Sequence, residues 1–349
     1  MRVVQFEIPG AGRRVGVVVE SENEVCDITS VHSDWQRVID VFQESERAGC
    51  ALRELFADAT SRPGIERLDY LSMLNSGPNK DVPFLHLPVD HPDPHWTLVS
   101  GTGLTHLGSM QSRDEMHTAE ESSSAEMTDS KRMFAMGIAE GKPAGEGRGV
   151  APEWFYKGNG HVLRSHRQAL TLPAYARDGG EEAELAGCYV IDTTGQARRL
   201  GFALGNEWSD HATEKLNYLY LAPSKLRQCA IGPELILDCD FQELSLQCTV
   251  LRNGDTIYDS GELWSGERHM CHSLSNCEDH HFKFAQHRHP GNVHVHFFGT
   301  SKLSYGTRDW VYESGDEIKI SSKNFSAPLV NGVVAGSPLE STPIRVISA

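Results

Sequence analysis

The sequence predicts an α+β protein that is mostly β, with a smaller N-terminal α+β domain over residues 1–95 and a larger β-rich domain over residues 96–349. Three observations carry that expectation. Helical spacing is confined to a few short stretches, alternating apolar runs dominate beyond Pro152, and a proline- and histidine-rich stretch separates the two parts. The length of 349 residues exceeds the usual single domain, and a 39% hydrophobic fraction with 32 glycines suits a large core laced with turns.

Taken in order, residues 1–30 read as two strands joined at the Gly10–Gly12 turn. Apolar residues recur at helical spacing from Ser33 to Leu55 and are interrupted near Gly49, which predicts two helices. Residues 83–96 (PFLHLPVDHPDPHW) read as an extended linker. The polar segment Ser112–Lys131 reads as a mobile loop or lid, or equally as a plain surface excursion. Strands follow at Glu184–Asp192, Ala197–Leu204, Leu235–Asp240, Leu244–Leu251, Thr256–Ser260 and Asn292–Phe298, with Asn253-Gly254 as a hairpin turn. One helix is expected through Met270–Gln286.

Charge narrows the partners. With 48 acidic against 32 basic residues the net charge is −16, which lacks the basic footprint that nucleic acid or an anionic membrane demands. No segment approaches the roughly 20 apolar residues needed to span a bilayer, and the N-terminus lacks the apolar run of a signal peptide. The eight scattered cysteines form no CxxC pair, so a reducing cytoplasm is the expected compartment.

The motif with most chemical content is Glu182-Ala183-Glu184, at the start of the strand ELAGCYVID. Residues two apart on a strand share a face, so both carboxylates can aim at one point, and a divalent cation resolves their repulsion. Downstream stand LGNEWSDH (204–211), Ser224-Lys225, Ile231-Gly232-Pro233, Phe298-Gly299-Thr300, Ser314-Gly315-Asp316 and Val330-Asn331-Gly332. This ordered set resembles the fumarylacetoacetate hydrolase superfamily, whose members carry E-x-E, N-D-x-S, lysine, G-P, G-T and P-G-D in this order. Here N-E-W-S and S-G-D replace two of the six. GTGLTHLGSMQSRDEMH and GNEWSDH…NYLYLAPSKLRQCAIGPEL look most similar to the 2-keto-3-deoxy sugar-acid dehydratases of that superfamily.

The resemblance implies a mixed β-sandwich-like roll with a smaller N-terminal domain, usually a homodimer. It implies a Mg²⁺ or Mn²⁺ site on Glu182, Glu184 and Glu207, the last in the place of the usual aspartate and one methylene longer. Three acidic ligands leave room for a 2-oxo acid bound through its keto and carboxylate oxygens. Lys225 matches the lysine that faces the substrate and would stabilise an enolate oxygen. Thr300 matches a hydroxyl donor to the substrate carboxylate, Lys157 a lysine at the entry to the site. Arg113 could clamp a carboxylate through its planar fork, or lie on the surface.

His106, in GTGLTH, is the candidate general base, yet Ser109 stands three residues on where the superfamily's hydrolases have a glutamate; the nearest acids are Asp114 and Glu115. That gap moves the expectation from water-activating hydrolysis towards elimination. The expected reaction is dehydration of a 2-keto-3-deoxy aldonic acid, a pentonate such as 2-keto-3-deoxy-L-arabonate or -D-xylonate, to 2,5-dioxopentanoate through an enolate. The alternatives are a hydrolase cleaving a C–C bond of an acylpyruvate or 2,4-diketo acid, and a cupin-like metal- or sugar-binding module using His294 and His296.

Overall fold

A computed structural model of the chain describes residues 1–78, 81–108, 128–145 and 147–349. In chain order the strands of the first part are β1 (Arg2–Ile8), β2 (Gly12–Val19), β3 (Glu24–Asp27), β4 (Glu66–Asp69), β5 (Phe84–Leu85), β6 (Thr97–Gly103), β7 (Glu153–Asn159), β8 (Leu163–Arg164) and β9 (Leu170–Leu172). Those of the second part are β10 (Ala183–Ile191), β11 (Ala197–Asn206), β12 (Cys229–Ile236), β13 (Leu244–Arg252), β14 (Asp255–Asp259), β15 (Leu263–Ser265), β16 (Val293–Phe297), β17 (Glu317–Ser322) and β18 (Leu329–Ala335). Among the described residues they form a twelve-stranded sheet, ordered β4-β3-β2-β1-β12-β11-β10-β16-β6-β7 with β5 on β1 and β8 on β12, and a six-stranded sheet ordered β14-β13-β17-β18-β9 with β15 on β13.

The centre of the large sheet is buried on both faces; all residues of β10, β12 and β16 are buried. One face receives α1 (Val38–Ala48) and α2 (Leu52–Thr60), whose Val38, Val41, Phe42 and Phe56 pack with Val3, Val17, Val99, Ala186, Val295 and Phe297. Asp40 accepts from the backbone N–H of Arg37 at 2.8 Å and starts α1, and Gly49 at φ 67° ends it, as the sequence predicts. The other face meets the six-stranded sheet through Leu185, Phe202, Leu204, Leu246, Val250, Ile318, Ile320 and Phe298. Each such side chain contributes about 1.5–3 kcal/mol by leaving water. Among the described residues the remaining α-helices are α3 (Tyr70–Leu74), α4 (Asp129–Glu140), α5 (His211–Leu216), α6 (Leu221–Lys225) and α7 (Leu274–Phe282).

Several sequence expectations shift. A third strand, β3, extends the N-terminal hairpin. Residues 83–96 are more than a linker: Phe84 and Leu85 pair with Glu7 and Phe6 of β1. The strand expected at Leu235–Asp240 runs instead over Cys229–Ile236, and the helix expected over Met270–Gln286 is shortened to α7 with a 3-10 turn at Ala285–His287. The hairpin at Asn253-Gly254 forms with φ of 54° and 90°, as its residues demand. Most of the polar segment 112–131 lies outside the described residues, and its last three positions enter α4. No described helix is long and apolar enough to cross a membrane.

Candidate active site

Pairing of β10 with β11 sets Ala183 opposite Asn206, and Glu207 donates its N–H to Glu182 O at 3.0 Å. That register places Glu182, Glu184 and Glu207 around one point: an oxygen from each lies within 4.8 Å of the others, and all three are buried. Glu207 bridges the extra methylene of its side chain and still joins the cluster.

Three carboxylates in a dry site demand compensation. Lys225 Nζ bonds Glu182 and reaches Glu207 Oε2 at 2.8 Å. Lys157 Nζ bonds Glu207 Oε1 and donates to Trp208 O at 2.9 Å, and Ser209 Oγ donates to Glu207 Oε1 at 2.9 Å. His211 Nε2 stands 3.0 Å from Glu182 Oε1. Burial favours the neutral carboxyl, but Lys225 and His211 override it and hold Glu182 well below the ordinary carboxylate range. Glu184 goes the other way. Burial and then the charges of Glu207 and Glu182 push it well above that range; it accepts from Gly299 N–H at 2.7 Å, and among the described residues Oε1 has no hydrogen-bond partner.

The orphaned Oε1 of Glu184, facing two more carboxylates, fits a hard divalent cation, which would accept one oxygen from each glutamate. Mg²⁺ at 100 times its dissociation constant is therefore expected to stabilise the fold by about 2.7 kcal/mol. Glu184→Gln should abolish that thermal shift. A melting temperature indifferent to Mg²⁺ in the unaltered protein would contradict the site.

A fourth acid faces the same space. On β7 the buried positions alternate, so Glu153, Phe155 and Lys157 share a face. Lys157 meets Glu207, and Lys225 Nζ sits 4.7 Å from the Phe155 ring, which fixes that face as the one looking at the triad. Register agrees: Ala186 pairs with Phe297, Phe297 with Gly101, and Gly103 with Glu153. Continued two residues past Phe297, the same registers bring Glu184, Gly299, Gly103 and Glu153 abreast across four strand lines. Three inter-strand gaps separate the two glutamates, about 14 Å of backbone. The two positions between are glycines, and a Cβ on Gly299 would lie 2.4 Å from Thr105 Oγ1. The Glu153 carboxylate leans over Gly103, where a Cβ would lie 1.9 Å from Oε1. Tyr218 Oη donates to Glu153 Oε2 at 2.7 Å.

Solved structures similar to this chain include dehydratases, isomerases and hydrolases. The apo form of 2-keto-3-deoxy-D-arabinonate dehydratase matches with a TM-score of 0.67 at 18% identity, covering 97% of this chain and 100% of that one. The same enzyme complexed with magnesium and 2,5-dioxopentanoate matches at 0.66 and 18%, over 96% and 99%. The maleylpyruvate hydrolase of Sphingobium sp. SYK-6, in complex with manganese and pyruvate, matches at 0.58 and 17%, over 97% and 100%. The chain has the fold of the fumarylacetoacetate hydrolase superfamily. In sequence, a probable 2-keto-3-deoxyxylonate dehydratase of Haloferax volcanii is 29% identical over 126 residues. The match spans 35% of this chain and 41% of that relative, less than half its length. No protein-family model matches the chain.

Within this superfamily fold the other expected residues are dispersed. His106 is fully buried. Its Nδ1 lies 3.0 Å from Thr105 Oγ1, whose proton goes to Phe298 O, so the ring donates from Nδ1; Nε2 accepts from Ser265 Oγ at 3.0 Å. Burial pushes its pKa down to about 3. With both nitrogens occupied, His106 is fixed between the two sheets. Thr300 follows Gly299 at the edge of the site, its hydroxyl 3.3 Å from Lys302 O. Arg113 lies outside the described residues.

His294 and His296, the alternative metal pair, are buried with His281 and His287 between β16 and α7. Trp154 Nε1 donates to His281 Nδ1 at 3.2 Å, and His281 Nε2 meets His294 Nδ1 at 3.0 Å. Among the described residues, the three glutamates alone bring together three groups able to hold a metal. Burial, then neighbouring histidines, push His294 and His296 down to about 3. These rings stay neutral in the fold but protonate in the unfolded chain below about pH 6.5. Stability is therefore expected to fall as pH drops from about 6.5, by about 1.4 kcal/mol per pH unit for each such ring. Urea unfolding of His294→Asn should show a shallower slope between pH 6.5 and 5; an unchanged slope would remove His294 from the account.

Glu153 is a residue of the candidate site that the sequence reading did not name. Its signal was present in EWFYKGN, where it stands an even number of residues from Lys157 on one strand.

Proposed function

We propose that the protein is a metal-dependent hydro-lyase that dehydrates a 2-keto-3-deoxy aldonic acid, a pentonate, to 2,5-dioxopentanoate. The observation that carries this reading is the buried acidic triad, with Glu153 three strand lines away along the same face of the sheet. A 2-oxo acid held at the triad would direct its C3 along that face towards Glu153. Mg²⁺ or Mn²⁺ on Glu182, Glu184 and Glu207 would polarise the C1 carboxylate and C2 ketone and acidify the C3 protons.

The chain's own groups do the rest. Glu153 removes a C3 proton as general base. Lys225, already among the carboxylates, stands where negative charge develops on the C2 oxygen. Lys157 holds Glu207 in place. Thr300 donates to the substrate carboxylate. Elimination needs no attacking water, which agrees with His106 being locked by two hydroxyls. The match to a dehydratase complexed with magnesium and 2,5-dioxopentanoate supports the reading.

The test is incubation of the purified protein with 2-keto-3-deoxy-pentonates of both C4 configurations, with and without Mg²⁺, reading aldehyde formation by NMR. Metal-independent turnover, or release of pyruvate from an acylpyruvate in place of dehydration, would overturn the proposal. The reading includes a homodimer in the cytoplasm. The eight cysteines are all free, which supports a reducing compartment, and analytical ultracentrifugation showing a monomer would remove the dimer.

A further inference from the structure

The dehydration leaves one proton unassigned. A hydroxyl departs from C4 poorly as hydroxide, so an acid must protonate it as the C4–O bond breaks. Lys157 and Lys225 are spent on the triad, and His211 is engaged by Glu182 Oε1. Beside Glu153 stands the phenol of Tyr218, 2.7 Å from Oε2.

Its placement is built. Tyr218 opens the 3-10 turn Tyr218–Tyr220, and Asn217 caps that turn by accepting from Leu219 N–H at 2.9 Å. Met133 of α4 touches the phenol oxygen through Sδ at 3.6 Å. One excursion, α5 through α6, thus delivers both Tyr218 to Glu153 and Lys225 to the triad.

We propose that Tyr218 is a catalytic residue, the proton relay that returns to the C4 oxygen the proton Glu153 takes from C3. This inference rests on Glu153 being the base. Glu153 removes the C3 proton, leaving the enolate. As the enolate electrons reform the C2 carbonyl and make the C3–C4 double bond, the C4–O bond breaks and its electron pair leaves on oxygen. Tyr218 gives its phenolic proton to that oxygen, forming water, while protonated Glu153 reprotonates the phenol. The resulting 5-hydroxy-2-oxopent-3-enoate reaches 2,5-dioxopentanoate by tautomerisation, a C5 proton moving to C3 and the enol giving its proton to C4. Both residues end as they began, and no oxidant or reductant enters.

The prediction separates two events that a structural tyrosine would not separate. In D₂O with Mg²⁺ and a 2-keto-3-deoxy-pentonate, Tyr218→Phe is expected to lose dehydration by about 10²–10³-fold. It should go on exchanging C3 protons for deuterium, because the base and the triad remain. Equal loss of both events, or unimpaired dehydration, would overturn the relay. Glu153→Gln should abolish both; if it retained exchange, the base assignment would fail, a result distinct from failure of the relay. Should the phenylalanine variant not fold, 3-fluorotyrosine at position 218 keeps the shape and acidifies the phenol. The alkaline limb of dehydration should then move to lower pH while that of exchange stays; no movement would overturn the proposal.

Discussion

Glu153→Gln is expected to lower the dehydration rate by about 10²–10⁴-fold, the contribution of a positioned general base and equal to roughly 3–5 kcal/mol. The amide keeps the shape of the side chain and an oxygen for Tyr218 to donate to, but it cannot take a proton. Glu153 stands three strand lines from Glu184, and the metal-holding cluster is formed by Glu182, Glu184 and Glu207. Mg²⁺ binding, read by calorimetry, should therefore persist, and the Michaelis constant should change little. A variant within threefold of the parent rate would move the base elsewhere.

Lys225→Met acts on stability. One ammonium serves both Glu182 and Glu207 inside a buried site, and its removal leaves two carboxylates short of their shared partner. Breaking such a buried pair costs about 3–5 kcal/mol, a loss to be read as a lowered urea midpoint in metal-free buffer. Mg²⁺ should restore part of it, since a dication at the triad replaces the missing charge. An unchanged midpoint without metal would mean that the carboxylates find protons or water instead of depending on Lys225.

The fold was legible wherever one residue type had a single physical use. Gly49 ends α1 because only the left-handed backbone fits there, and Asn253-Gly254 turns the β13–β14 hairpin for the same reason. Glu182 and Glu184 were legible from their spacing, and joined Glu207 through strand register. The misplaced strand has an equally physical cause. Every residue of Cys229–Ile236 is buried, so the alternation that marks a strand is absent, and Gly232-Pro233 reads as punctuation. Residues 83–96 looked like a linker because proline and histidine mask the two-residue strand Phe84–Leu85. Glu153 carried a same-face signal with Lys157. Its importance arises only from Gly103 and Gly299 lying beside it, a relation between strands far apart in the chain. His106 illustrates the converse, since its motif pointed to a base and only burial against Ser265 shows the ring engaged.

The junction of β1 with β12 has a consequence for how the molecule comes to be. Val3 lies beside Leu235, so the first strand cannot find its permanent neighbour until more than half the chain has been made. Until then β1 pairs only with strands close to it in sequence, and its open edge is a template for unwanted association. Closing so long a loop before any contact rewards it makes for slow folding and a high contact order. Refolding from denaturant should be slow and yield-limited by concentration, and it should improve when the ribosome or a chaperone keeps that edge covered.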